Sequence, residues 1–269
     1  MKKILIAFLS VLVLLSCKKA AELRYDAPDN IYFDFDPNTS DRDSIVYTFA
    51  YEPGKASDTI FLPVRISGNR IPEDRTFRIQ EIAEGTTALS GIHYEALRAS
   101  YTMPADSGRV YVPVILYNTD PELTQKSVTL QLTLVETPDF GLQITGLEKG
   151  KILFSAKLEK PFWWEMWLGP YYSQVKHELF LISSGTIHMT TDGLDAPKNL
   201  YHVGRLNSFM NDPFSWVAQH PDAGYVLEKQ SESIYHFFSS GNPAKKIELR
   251  KNEQSGRYFF IDENGQEVN

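Results

Sequence analysis

The chain has 269 residues and carries 34 acidic against 27 Lys and Arg side chains, a formal net charge of -7, with one cysteine. An acidic balance argues against a nucleic-acid partner, whose phosphates select a basic face. One cysteine leaves no disulfide to be made within the chain.

At the start, Met1, Lys2 and Lys3 precede an apolar run over residues 4–15. That run is shorter than the roughly 20 residues of a membrane-spanning helix. It has the layout of a cleaved signal peptide, a positive flank followed by an apolar stretch. Leu14-Leu15-Ser16-Cys17 resembles the lipobox of bacterial lipoproteins, with a small residue directly before the cysteine. The resemblance implies that residues 1–16 are a leader, that Cys17 is the lipid-attachment residue, and that the mature chain is held at the outer membrane. A Cys17 taken by lipid is no thiolate nucleophile and no metal ligand. Residues 17–29 are polar and read as a tether between lipid and fold.

About 240 residues then remain, enough for one large domain or two ordinary ones. Over residues 30–158 apolar and polar residues alternate in short runs separated by turn chemistry. Strands are expected at 31–35, 44–49, 58–66, 75–81, 99–103, 109–117, 127–136 and 151–157. Regular spacing with no helix between them predicts an antiparallel sandwich of immunoglobulin-like type. Thr87-Ala88-Leu89-Ser90-Gly91-Ile92-His93-Tyr94, Tyr101-Thr102-Met103 and the 110–120 stretch ending in Asp120 are similar to the core of Calx-beta sandwiches. That resemblance places an aspartate where this chain has His93. Asp120 and Glu122 alone do not make the six to eight oxygen ligands calcium wants, so these acids read as solvated loop residues and no metal is expected. Asp34, Asp36, Asp41 and Asp43 pose the choice between a loop cation site and a solvated strand edge, and the edge is favoured.

Residues 159–269 read as a smaller α+β region, which makes the whole chain mainly β. Pro161-Phe162-Trp163-Trp164-Glu165-Met166-Trp167 holds three of the four tryptophans. Tyr172, Val175, Leu179 and Ile182 recur at helical spacing, predicting a helix over 171–183 that Gly185 stops. A second helical stretch, 206–219, is interrupted at Asp212-Pro213. Strands are expected at 246–250 and 257–262, with Glu263-Asn264-Gly265 turning into 266–268.

The order of Asn30-Ile31-Tyr32-Phe33, Glu73-Asp74-Arg75-Thr76-Phe77, Pro138-Asp139-Phe140, Pro161-Phe162-Trp163-Trp164 and Leu168-Gly169-Pro170-Tyr171-Tyr172-Ser173 resembles the uncharacterised Bacteroidetes lipoproteins grouped as domain of unknown function 4843. That resemblance implies an accessory product of glycan-uptake loci, with outer-membrane uptake proteins as partners and no catalytic residues to carry over.

The residues themselves offer no Gly-x-Ser-x-Gly elbow, phosphate loop, dinucleotide fingerprint or His-Glu-x-x-His motif, so no enzyme and no cofactor is expected. His93, His202, His220 and His236 are scattered and read as turn or packing residues. Two readings stay open, with a polysaccharide-degrading enzyme as a distant third. In one, the chain is a non-catalytic interaction subunit at the membrane. In the other it binds polysaccharide directly, with Trp163, Trp164, Glu165 and Trp167 as the candidate glycan-binding residues, since flat aromatic faces stack on sugars while nearby polar groups meet the hydroxyls. For the Trp163-Trp164-Met166-Trp167 group the structural role, sealing the junction between the two regions, is favoured, because large aromatics usually enter cores and interfaces.

Overall fold

The computed structural model describes residues 28–35 and 43–269. Cys17 and the leader lie outside the described residues, as do Asp36 and Asp41.

The first part is a sandwich. Its strands are β1 (Asn30–Phe33), β2 (Ser44–Thr48), β3 (Ser57–Ser67), β4 (Arg75–Glu81), β5 (Tyr101–Met103), β6 (Arg109–Tyr117), β7 (Val128–Val135) and β8 (Lys149–Ser155). They form a sheet in the order β1-β3-β6 and a second in the order β2-β8-β7-β4-β5. Period-two alternation decides which side chains go inside. β3 buries Ile60, Leu62, Val64 and Ile66, and β7 buries Val128, Leu130, Leu132 and Leu134. Phe61 and Arg65, on the other face of β3, are exposed. The fold is therefore mainly β with antiparallel sheets, with one departure: β2 runs parallel to β8, Ser44 beside Lys151 and Thr48 beside Ser155. Residues 49–148 separate the two strands, so no hairpin dictates their direction, and a long connection permits a parallel pair.

A second core follows. Its elements are α1 (Trp164–Leu168), α2 (Gln174–Ser184), α3 (Ala196–Asn211), α4 (Pro213–Gln219) and a sheet of β9 (Tyr225–Lys229), β10 (Ile234–Ser239), β11 (Ile247–Lys251) and β12 (Tyr258–Phe260) paired in sequence order. α2 starts where the Ser173 hydroxyl accepts from the Lys176 N–H at 3.0 Å and stops at Gly185, whose φ of 71° is left-handed. α3 begins ten residues before the expected 206. Its first half exposes Leu200 and Tyr201, so it carries no apolar stripe for periodicity to find. β9 and β10 were not anticipated either, because most of their residues are half-buried or exposed and the alternation is faint. Phe209 of α3 packs its ring 5.4 Å from Phe237 and 5.3 Å from Phe260, which seats the helix on the sheet.

The two cores meet at a polar seam. The buried Asn242 amide donates to the Asn118 carbonyl at 2.9 Å, and a Cβ on Gly241 would lie 3.1 Å from the Gly54 carbonyl oxygen. That glycine is what lets the two backbones come so close. Ala50 and Leu158 pack into the second core.

Candidate binding cleft

The tryptophan segment does not make a sugar platform. Trp163 and Trp164 are 1% and 0% exposed. The Trp164 indole N–H donates to the Tyr171 carbonyl at 2.9 Å, and Trp163 packs 5.4 Å from Phe180. Large aromatic surfaces gain most from leaving water, and the Pro161 turn into α1 points both rings into the second core. The candidate glycan-binding role of Trp163 and Trp164 is therefore corrected to a packing role. Trp167 is half-buried, its indole N–H donating to the Thr190 carbonyl at 2.6 Å, and exposed Glu165 is paired with Lys160. Neither faces a shared cavity with the pair. The large apolar residues of this segment that reach solvent are Phe162, at 75%, and Met166, at 59%.

Behind the tryptophans sit two buried basic groups. His177 contacts Trp163, Trp164, Tyr172 and Phe180, and burial pushes its pKa down to about 4. Lys176 donates to the Leu168 carbonyl at 3.0 Å and lies over the Trp164 and Tyr171 rings, and burial lowers its pKa as well. These groups fasten α1 to α2.

The acids of the sandwich are likewise engaged. His93 Nδ1 accepts from the Leu89 N–H at 2.8 Å, so the proton is on Nε2, which donates to Asp120 at 2.8 Å. Asp120 is held below the usual carboxylate range by the Glu122 backbone N–H first and then by His93. Asp34 pairs with Arg109 and Arg65, and Asp43 with Lys151.

An open concavity lies instead between α3 and α4. It has a volume of about 810 Å³ and is lined by Tyr201, Arg205, Ser208, Asp212, Trp216 and His220, with Gly204, Ser215 and Gln219. The sequence builds it in two steps. The break at Asp212-Pro213 ends α3, and the Asp212 carboxylate accepts from the Ser215 N–H at 3.0 Å to start α4. Tyr201, Arg205, Ser208 and Asp212 are spaced four, three and four apart and so share one face of the chain entering that break. Trp216 forms the floor: it is 8% exposed, with Phe209 at 4.3 Å and His220 stacked on it at 4.6 Å and 18°. His220 Nδ1 sits 2.8 Å from the Trp216 carbonyl, which can only accept, so the neutral ring keeps its lone pair on Nε2.

Gly204 is the unusual residue. It lies inside α3 without a left-handed φ, and a Cβ there would meet nothing within 4 Å. A helix-interior glycine costs about 1 kcal/mol relative to alanine. No close approach or turn of this chain requires it, and like Tyr201 it lines the cleft, where it leaves open space. Ring faces on Tyr201 and His220 and hydrogen-bonding groups on Arg205, Ser208, Ser215 and Gln219 together suit a flat, hydroxylated ligand. Sequence reasoning missed the cleft because its residues sit on two helices whose junction is visible but whose facing sides are not. An exposed tyrosine three residues before a mid-helix glycine was the available signal.

A family model described as "Domain of unknown function (DUF4843)" matches residues 25–186. Among solved structures, the Calx CBD1 domain in its apo form is similar at 9% identity and a TM-score of 0.34, over 48% of this chain and 97% of that one. A protein from Bacteroides ovatus described as a candidate carbohydrate binder shares 11% identity at a TM-score of 0.37, over 48% of this chain and 38% of its own length. A Bacteroides ovatus protein of unknown function shares 12% identity at a TM-score of 0.37, over 83% of this chain and 65% of that chain. No curated protein matches the chain.

Proposed function

The chain belongs to the family described as a domain of unknown function, DUF4843, and from that premise we propose that it is a non-catalytic accessory lipoprotein that captures glycan in the α3–α4 cleft. The observation that carries this reading is the pairing of exposed Tyr201 with the space left by Gly204. A sugar's apolar face would lie on the tyrosine ring while the surrounding amide, hydroxyl and guanidinium groups take its hydroxyls. The chemistry of the lining supports the non-catalytic part of this reading. Glycoside hydrolysis uses two facing carboxylates, and Asp212 is the one carboxylate among the described residues that line the cleft. Affinity electrophoresis of the purified protein against a polysaccharide panel tests the reading. Retardation by at least one polymer, lost in Tyr201→Ala, is the expected outcome; retardation that survives the substitution would place the glycan elsewhere.

Acylated Cys17 would hold the protein at the outer membrane, among the transport proteins of a glycan-uptake system. Among the described residues no helix is long and apolar enough to cross a membrane, so on this reading the lipid does the anchoring. Cys17→Ala abolishes fatty-acid labelling if the anchor is assigned correctly, and labelling that persists overturns it.

A docking role has its own support. The outer face of the β1-β3-β6 sheet exposes Phe61 at 57% and Tyr111 at 55%, each directly across from a proline, Pro113 and Pro63 respectively. Solvent-facing aromatics on a strand face are the kind of surface a partner covers. Crosslinking in the native membrane that captures no uptake protein, with glycan binding intact, leaves capture as the sole function.

A further inference from the structure

We infer that the cleft is selective for glycans bearing an anionic group, a carboxylate or a sulfate ester, and that Arg205 reads that group. This rests on the glycan reading of the cleft. Half of the Lys and Arg side chains of the second region are paired with carboxylates, among them Lys229 with Glu232 at 2.9 Å, Lys246 with Glu228 at 2.9 Å and Arg250 with Glu248 at 2.6 Å. Arg205 is half-buried in the cleft wall, and no carboxylate among the described residues comes within ion-pair distance of it. Its guanidinium carbon lies 5.9 Å from the Tyr201 ring centroid, one helical turn away.

That placement orders the fork without neutralising it. A guanidinium held near a ring presents paired N–H donors, the arrangement that matches a carboxylate or sulfate in two parallel hydrogen bonds. The other charge in the cleft, Asp212, is two turns along the chain and is held below the usual carboxylate range by the Ser215 side chain first and then by the Ser215 backbone N–H. It caps α4 and does not spend itself on Arg205. A charged sugar lying on Tyr201 would therefore bring its anionic substituent to the guanidinium while its hydroxyls face Ser208 and Gln219. The whole chain has a net charge of -7, so a polyanion is repelled by the rest of the surface and its binding calls for a dedicated cation.

Titration calorimetry of the purified protein against polygalacturonate, chondroitin sulfate and a neutral galactomannan, at 0.15 M salt, tests this. At least one anionic polymer is expected to bind more tightly than galactomannan. Arg205→Gln should weaken that binding about tenfold or more, the loss of a charge-assisted pair, and Arg205→Lys should restore part of it. Which polymer responds separates carboxylate from sulfate. Arg205 is outside both cores, so thermal melting of the Gln variant matching the native protein confirms that the loss is local. Anionic binding unchanged in Arg205→Gln, or galactomannan bound as tightly as the polyanions, overturns the charge selectivity and leaves the glycan cleft standing. Binding of none of the three, with none retained on the wider panel, overturns both.

Discussion

Trp164 has no surface open to solvent, and its neighbours define what the tryptophan segment is for. Its indole is hydrogen-bonded, its ring is flanked by Tyr172, His177 and the Lys176 ammonium, and all of these are supplied by the turn before α2 and by α2 itself. Residue type was legible in the sequence: aromatics there had to matter, either to a sugar or to a core. Which way each ring faced was not, because α1 is too short to show a periodicity and the Pro161 turn sets its direction. His177 gives this packing a measurable consequence. Its folded pKa is about 4 against an ordinary 6.5. Between those values the unfolded chain binds a proton that the folded chain refuses, so stability falls as pH drops through the window. Going from pH 7 to pH 5, this one group should cost the fold about 2 kcal/mol. Urea unfolding at the two pH values should show a smaller drop in His177→Leu than in the native protein, whatever the other groups contribute. Equal drops in both would mean that His177 is protonated in the fold.

At the scale of elements, the strands of the sandwich and the start of the second core were readable because burial is one-sided there. β3 and β7 alternate cleanly, and α2 has its cap, its stripe and its stop. The elements that went unread are those whose side chains answer to something other than a core. α3 exposes Leu200, Tyr201 and Gly204 along its first turns, β9 is half-buried on one face and exposed on the other while β10 is mostly half-buried, and β2 takes its direction from β8 rather than from a hairpin. Among these, α3 pays for its open face, since Gly204 weakens a helix that alanine would strengthen. Gly204→Ala should raise unfolding stability by about 0.5–1 kcal/mol, seen as a higher urea midpoint with unchanged slope. A drop in stability would show that the position is sterically required and remove the argument that the glycine serves the cleft.

The whole molecule joins a sandwich to an α+β body through the seam at Gly54, Asn118, Gly241 and Asn242, with the cleft between α3 and α4 of the second body. The sequence revealed that there are two regions, through the change of composition at Pro161, but not which of them holds the site, because a cleft between two helices is a relation between surfaces and not a motif. The most direct measurement compares Gly204→Ala and Gly204→Leu for retardation in gels containing the polysaccharide that best retains the native protein. Alanine adds a methyl group to open space and leucine fills it. Capture in the α3–α4 cleft predicts that the alanine variant is retarded like the native protein and the leucine variant migrates freely while still folded. A leucine variant retarded as strongly as the native protein would contradict it.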